Sequence, residues 1–513
     1  MQTDKIGVND HEDVISATPK ADVNNPGDVI PTIPDKKAGD QSIKSEIKSF
    51  IEFFYIRSVP SYGNNFFFTI GIYLLEIFGI LAASGIIMVV FGPYWWDLTA
   101  AGTFIRSIHL WAAEAFVTLI LVHLFVQFST SSFKKKKLVW ILGSLMLLLV
   151  FLEYAFGIGL RGDFVSQWND KAGADLWNGF GLGYWVNPLN QGALLGWHIA
   201  IIPLILVILM FTHYMLVKRK GLSTPYRKDI PYKMVPADHK KMYKRMAYIF
   251  VIILLFAIFL RAPYVPPVTI QSIAHSTPSI MAITLLKEFT FTSGTATYLD
   301  TIDPYSFSTR NAYVTVPYDE YINSTGTRNY EDVFLSENAS AQNTSVNQAF
   351  SYFNANGSIA NSMNSSNPLI VVIGTLTRMA DSGLYGEALQ GETSSGLNET
   401  YDIRFLADSG VLYTTATEYG LRTSQYGMIR AGGEWWQIGS YWVAPYNLLE
   451  IVTAGIPWWS DLENGVIAVS VFMLLIFLPY IPYLRDMPDK LKLYKIFWNR
   501  FTIPEMKKKR NKP

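Results

Sequence analysis

Six long apolar segments set the predicted architecture. About 20 largely apolar residues are needed to cross a bilayer, and each segment approaches that length. In chain order they cover residues 66–91, 104–128, 137–158, 197–217, 246–262 and 464–484. Residues 47–56 mix apolar and charged side chains and predict a helix that lies along the membrane surface. The pattern therefore predicts an all-α integral membrane protein with about six transmembrane helices.

The fifth and sixth segments are separated by residues 263–463, a connection too long to be a simple loop. Its centre is rich in Ser, Thr, Asn and Tyr. Residues 312–317, 369–376 and 411–417 contain enough β-branched or aromatic residues to predict strands. We therefore expect a β-rich external domain inserted between the last two membrane helices.

Lys and Arg are concentrated in alternate connections, and they are retained on the cytoplasmic side of a membrane. Four lysines, 134–137, join the second and third segments, and residues 218–245 hold ten Lys or Arg against two Asp. Residues 263–463 hold seven Lys or Arg against 19 acids. This distribution predicts a protein of the cell membrane with both termini in the cytoplasm and the 263–463 connection outside.

The composition and the two ends narrow the possible chemistry. The chain has no cysteine, which excludes disulfides, thiolate-bound iron–sulfur clusters and thioether-linked haem. Residues 1–45 are polar and lack the apolar core of a cleaved signal peptide, so they predict a disordered cytoplasmic tail. Residues 485–513 predict a basic cytoplasmic tail.

Every Asn-x-Ser/Thr sequence in the chain lies in the connection predicted to be external. Six within 76 residues predict N-glycosylation, although a surface rich in Asn, Ser and Thr can match the pattern by chance. The predicted acceptors are Asn323, Asn338, Asn343, Asn356, Asn364 and Asn398.

Four of the seven histidines lie within two apolar segments. His109 and His123 are 14 residues apart in the second segment, and His198 and His213 are 15 apart in the fourth. Four helical turns take about 14.4 residues, so each pair shares one helix face with about 21 Å between its members. The two segments cross in the same direction, which places His109 with His198 at the outer level and His123 with His213 at the inner level. This arrangement can clamp two haems, each iron between two imidazoles, in a core of the first four helices.

The residues around these histidines resemble the cytochrome b family of bc-type and chloroplast bf-type complexes, over about residues 60–262. Arg106-Ser-Ile-His109 is similar to the family's Arg-x-x-His, in which the arginine pairs with a haem propionate. The stretch from His198 through Pro203 to His213 resembles the family's fourth helix. Four further residues match the passage from the third helix into a short external helix beside the quinol site: Gly157, Leu160, Ser166 and Trp168.

Several positions depart from the family's pattern. Glu114 stands where a small polar residue is usual and is either a hydrogen-bonded structural carboxyl or a proton carrier. Arg161 replaces a proline and is a second candidate partner for a propionate. The quinol-site motif Pro-Glu-Trp-Tyr is absent, and counting back from the Gly-Ile-Pro at 455–457 places its equivalent near 442–445. Two residues are candidates for accepting the quinol proton: Glu434 and Glu450.

The resemblance implies a di-haem cytochrome b subunit of a respiratory quinol-oxidising complex, most similar to those of archaeal quinol oxidases. Quinol would be oxidised at the outer face, and electrons would also cross through both haems to an inner quinone site. The haems are of b type or a modified A type. Expected partners are a Rieske iron–sulfur protein, other respiratory subunits with a haem–copper oxidase as a candidate, and membrane lipid, with no nucleic acid.

Two other functions stay open at this point. One is a di-haem membrane anchor of a dehydrogenase or hydrogenase, which would pass electrons to quinone. The other is a non-enzymatic membrane glycoprotein or transporter in which the histidines are incidental.

Overall fold

The structure, a computed structural model, describes residues 45, 56–183, 185–222, 233–298, 308–391, 397–430, 440–456 and 461–497. From residue 57 onward they belong to one compact unit. The tail predicted over 1–45 and the surface helix predicted over 47–56 lie almost wholly outside these ranges. The basic tail beyond residue 497 also lies outside them.

Helices dominate the first half of the chain. In chain order it contains β1 (Ser58–Pro60), α1 (Phe66–Phe91), α2 (Pro93–Leu98), α3 (Ala100–Ser129), α4 (Lys137–Gly159), α5 (Phe164–Gly179), α6 (Gln191–Lys220), β2 (Met234–Pro236) and α7 (His239–Phe259). The short strands pair antiparallel, with Ser58 opposite Pro236. This pairing joins the segment before α1 to the segment before α7.

The second half is also helical. It contains α8 (Ile270–Ser276), α9 (Pro278–Phe289), α10 (Gly294–Tyr298), α11 (Val316–Thr325), α12 (Tyr330–Ser336), α13 (Ala339–Asn354), α14 (Ile359–Ser362), α15 (Pro368–Asp381), α16 (Leu384–Gly391), α17 (Thr400–Asp408), α18 (Val411–Glu418), α19 (Gly427–Arg430), α20 (Ala444–Thr453), α21 (Asp461–Phe477) and α22 (Met487–Lys490).

Six helices are long and apolar enough to cross a membrane, as predicted: α1, α3, α4, α6, α7 and α21. The protein is therefore an all-α, multi-pass membrane protein with one small two-stranded sheet in its described part. The bounds differ most from the prediction at two places: α7 begins at His239 rather than at 246, and α21 ends at Phe477 rather than at 484. The start of α7 has a local cause. Its polar first turns are helical because the Asp238 side chain caps them, accepting a hydrogen bond from the Lys241 backbone at 3.0 Å.

Two tryptophans connect the fifth and sixth membrane helices, α7 and α21, to the first four. The Trp111 indole on α3 donates a hydrogen bond to the Leu260 carbonyl at the end of α7, at 2.6 Å. The Trp140 indole on α4 donates to the Leu475 carbonyl on α21, at 2.7 Å. Both carbonyls lie near the ends of their helices, where intrahelical partners run out.

The predicted β-rich insertion is wrong, because the described residues between α7 and α21 form helices joined by loops and turns, and no strand. Residues 369–376 lie in α15, 411–417 in α18, and 312–317 in a π turn that leads into α11. The Asn367 side chain caps α15 and Pro368 occupies its first turn, both strong helix-start signals. The β-branched run behind them is a helix buried on all sides, which periodicity cannot distinguish from a buried strand.

Helix α15 forms the centre of this helical region. Residues 368–377 are all buried, and α9, α12 and α13 pack around them. The same core includes Phe164 and Val165 from α5, the helix that follows α4. The insertion therefore packs on the connection between the third and fourth membrane helices.

A carboxyl group is buried in this core beside a half-buried one. Glu288 on α9 is fully buried, accepts a hydrogen bond from Ser293 Oγ at 2.7 Å, and lies against Asp408 at the end of α17. Burial, and then the negative charge of Asp408, raise the pKa of Glu288 from 4.5 to about 9. The folded protein therefore holds a proton here that the unfolded chain would release.

We predict that the protein is most stable in acid because of this proton. Below pH 4.5 both states hold it, and as the pH rises towards about 9 only the folded state keeps it. The free energy of unfolding should fall by about 1.4 kcal/mol per pH unit within this window. Thermal unfolding of the detergent-purified protein between pH 4 and 9 measures the effect.

The matched variants are Glu288→Gln and Glu320→Gln, the second at an exposed carboxyl on α11. Glu288→Gln should flatten the pH dependence, whereas Glu320→Gln should leave it unchanged. An equally steep loss of stability in Glu288→Gln would contradict the assignment.

Candidate functional site

The four membrane histidines form two pairs between α3 and α6. The rings of His109 and His198 have centroids 6.3 Å apart with their planes 67° from parallel. Two metal–nitrogen bonds of about 2 Å each, plus the radius of each ring beyond its nitrogen, span a distance of this size. The pair can therefore hold one metal ion between two imidazoles.

Hydrogen bonds indicate which ring nitrogens of His109 and His198 are available to bind a metal. Ser84 Oγ donates to the Ile80 carbonyl at 2.7 Å and lies 2.9 Å from His109 Nδ1, so it accepts from that nitrogen. His198 Nδ1 lies 3.1 Å from the Glu153 backbone carbonyl, which can only accept. Both Nδ1 atoms are thus assigned as donors. The lone pair of each Nε2 remains available for a metal.

The second pair is His123 and His213. The two rings lie close enough to interact electrostatically. His123 Nδ1 is buried without a hydrogen-bond partner, and His213 lies beside the backbone of Val139. The structure thus places the histidines in pairs across α3 and α6, His109 near His198 and His123 near His213.

Each histidine faces a glycine on a neighbouring helix. A Cβ added at Gly157 would meet His198 Cε1 at 2.9 Å, and one at Gly143 would meet His213 Cε1 at 3.4 Å. On α1, Gly85 stands in the same relation to His109 at 3.4 Å, and Gly71 to His123 at 3.9 Å. The glycines let α1 and α4 approach the rings, and larger side chains would push them aside.

A π turn explains the unequal spacing of the histidines. In α6, residues Trp197–Ile201 form a π turn immediately before Pro203, and His198 lies within it. A π turn holds about one residue more than an α turn, and proline favours such a break because it has no N–H to donate. The extra residue in the His198–His213 interval is absorbed there, so both pairs keep matching levels.

Two arginines and two aspartates form a cluster close to His109. Arg106 Nη1 lies 2.7 Å from Asp97 Oδ1, and Arg161 Nη2 lies 2.5 Å from Asp163 Oδ2. Both guanidinium groups also donate to the Pro263 carbonyl, at 3.1 and 2.9 Å. The structure therefore brings Arg106 and Arg161 together, with carboxylate partners that the sequence analysis did not identify.

A short stretch after the insertion, residues 440–443, reaches the membrane helices. The Trp442 ring stacks on Phe151 with centroids 4.6 Å apart and meets the edge of Tyr154 at 4.7 Å. Tyr154 hydroxyl donates to the Glu114 carboxyl and accepts from Ser440 Oγ at 2.7 Å. This stretch includes the region that counting along the chain indicated as equivalent to the quinol-site motif.

Glu114 is therefore a hydrogen-bonded, buried carboxyl on α3. It is 7% exposed, and its second oxygen is buried without a partner. Of the two acids named from sequence, Glu450 is half-buried on α20, and Glu434 lies outside the described residues. The structure thus joins Glu114 to the 440–443 stretch through Tyr154.

Comparisons with known proteins identify relatives of the membrane core. The family described as Cytochrome b(N-terminal)/b6/petB matches residues 114–278, which include three of the four histidines. A cytochrome b6 of Heterocapsa triquetra is 27% identical over 207 residues, covering 35% of this chain and 94% of that protein. The cytochrome b6 of Gracilaria tenuistipitata var. liui is 26% identical over 188 residues, covering 31% and 86%.

Residues 114–278 of the membrane core thus match the cytochrome b family. The chain is a cytochrome b-type electron-transfer protein, and its cytochrome b homologues bind haem. A chain of a solved structure titled "Hyperthermophilic respiratory Complex III" is also similar, with a TM-score of 0.36 and 16% identity, covering 73% of this cytochrome b-like chain and 99% of that one.

Most residues that contact the histidines were not predicted from the sequence. Gly71 and Gly85 are 14 residues apart (85 − 71 = 14), and so are Gly143 and Gly157 (157 − 143 = 14). This separation equals that of His109 and His123, so the sequence itself indicates that the glycines lie at the levels of the histidines. Ser84 and Glu153 gave no comparable signal, because neither the spacing nor the residue type distinguishes them.

We predict that Gly157→Ala lowers the haem content of the purified protein at least severalfold. The added methyl group would approach His198 to 2.9 Å, closer than Cβ contacts normally come. Gly79→Ala on α1 is the matched control, since nothing lies within 4 Å of that position. Pyridine haemochrome analysis of equal amounts of inserted protein measures the difference, and equal haem in both variants would refute the proposed clearance role.

Proposed function

We propose that this chain is the di-haem cytochrome b subunit of a quinol-oxidising respiratory complex in the cell membrane. The observation that carries the proposal is the pairing of four histidines across α3 and α6, with His109 and His198 at 6.3 Å. A haem iron held by two imidazoles exchanges single electrons without changing its ligands. His109 with His198 would hold the outer haem, and His123 with His213 the inner one.

Arg106 is proposed to balance the charge of a haem propionate. It lies one helical turn from His109, and its guanidinium already pairs with Asp97. Arg161 adds a second positive charge at the same place, held by Asp163. The charges of the two arginines and the two aspartates cancel. A propionate would therefore have to accept hydrogen bonds from guanidinium groups that also bind the aspartates.

The quinol site is proposed between α4 and the 440–443 stretch. Phe151, Tyr154 and Trp442 offer aromatic faces to a quinone ring. Glu114, Tyr154 and Ser440 offer polar groups to its hydroxyls. Electrons would leave to a Rieske iron–sulfur partner and, through the two haem levels, to an inner quinone site. The other partners in this proposal are the remaining subunits of the complex, with a haem–copper oxidase among the candidates.

The orientation proposed from the lysine and arginine distribution puts the helical insertion outside the cell. Five of its predicted glycan acceptors have exposed side chains: Asn323, Asn338, Asn343, Asn356 and Asn364. Asn398 differs, because its Oδ1 accepts a hydrogen bond at 2.5 Å from the hydroxyl of Thr400, the threonine of its own sequon. Thr400 is 6% exposed.

We predict glycans on the five exposed asparagines and little or none on Asn398. Mass spectrometry of peptides covering residues 323–400 from native membranes measures occupancy at each position. The half-buried Asn398 serves as an internal comparison within the same protein. Unmodified peptides throughout would refute the glycan proposal and leave the haem proposal intact.

The test of the function itself is a set of single histidine replacements read by reduced-minus-oxidised spectra after addition of quinol and a Rieske-type partner. We predict that His109→Ala and His198→Ala remove the same spectral component and block electron entry. His123→Ala and His213→Ala should remove the other component and leave the first reducible. Each iron needs both imidazoles to stay low-spin.

These spectra must be compared on protein that still inserts into the membrane. His239→Ala, at the start of α7 and away from the four membrane histidines in sequence, provides the control. Loss of one shared component from His109→Ala and His123→Ala would mean pairing along α3, and the di-haem proposal would then fail.

A further inference from the structure

A carboxyl group contacts one of the four histidines directly. Glu153 Oε1 on α4 lies 3.1 Å from His198 Nδ1, and the backbone carbonyl of the same residue lies at the same distance. One Glu153 residue thus supplies two acceptors to one imidazole N–H. A carboxyl group in a membrane helix is costly, so its placement against a histidine ring calls for an explanation.

The two histidine pairs differ in their contacts with carboxyl groups. In the His109–His198 pair, both Nδ1 atoms have a side-chain partner, the Ser84 hydroxyl and the Glu153 carboxyl. For His123 and His213, no carboxyl contact occurs among the residues that the structure describes, and His123 Nδ1 has no partner. The helices are otherwise arranged alike, with a glycine facing each ring.

The chemistry of this contact predicts the direction in which it shifts the reduction potential. A carboxyl acceptor on the far nitrogen of a metal-bound imidazole fixes the ring and makes it a stronger electron donor. Stronger donation stabilises the oxidised metal more than the reduced metal, which lowers the reduction potential. A hydroxyl acceptor such as Ser84 acts in the same direction but is a weaker acceptor than a carboxylate oxygen.

We propose that Glu153 is a positioning residue that lowers the reduction potential of the haem held by His109 and His198. The inference rests on the proposed function. It also makes the two haem levels unequal, since the carboxyl acts on one level only. An electron that enters at His109 and His198 is then passed on more favourably to the level of His123 and His213.

The experiment is a redox titration of the purified full-length protein, followed at the two haem absorbance components. In Glu153→Gln the amide oxygen remains an acceptor but is less basic, and in Glu153→Leu the side-chain acceptor is lost. We expect the reduction equilibrium of the His109–His198 component to shift roughly tenfold towards the reduced form in Glu153→Leu, about 59 mV for one electron. The shift should be smaller in Glu153→Gln and in Ser84→Ala.

Glu76→Gln is the matched control. Glu76 lies on α1 about 140° around the helix from Gly71, and it makes no hydrogen bond to the four histidines in the described part of the chain. The inference is overturned if both Glu153 variants titrate like the native protein, if both components shift equally, or if Glu76→Gln gives the same shift. Absence of haem in the native protein would instead overturn the proposed function, so the two failures are distinguishable.

Discussion

The lack of water inside a bilayer is the constraint on which the rest of this structure depends. A polar side chain in a membrane helix must find its partner within the protein. The imidazole N–H groups of His109 and His198 find Ser84 and Glu153, and the Glu114 carboxyl finds Tyr154. Each of these contacts joins two helices. The polar groups therefore determine which helices are neighbours, while apolar packing fills the space between them.

The membrane part could be predicted from the sequence because its signals are local. A run of about 20 apolar residues is visible without knowing its neighbours, and so is a 14- or 15-residue separation between histidines. The bounds of α1, Phe66–Phe91, agree with the apolar segment at both ends. The cross-helix pairing could also be predicted, because two helices that cross in the same direction keep their levels in order.

The rest depends on contacts between distant parts of the chain. The β-branched run in α15 predicts a strand by composition, and a helix that is buried on every side has no periodicity that would correct this prediction. Ser440 and Tyr154 are 286 residues apart, and no pattern in the sequence links them. Nothing in the sequence distinguishes Glu153, because its partner is the ring of His198 on another helix.

The π turn at Trp197–Ile201 gives α6 a property that a regular helix lacks. In an unbroken α-helix, adding or removing one residue rotates everything beyond it by about 100° and moves it about 1.5 Å. A single π turn can take up or release one residue locally, and such bulges are common at functional sites. A change of one residue near His198 therefore need not move the half of α6 that carries His213. Related chains could differ by one residue in this interval and still keep both rings in register.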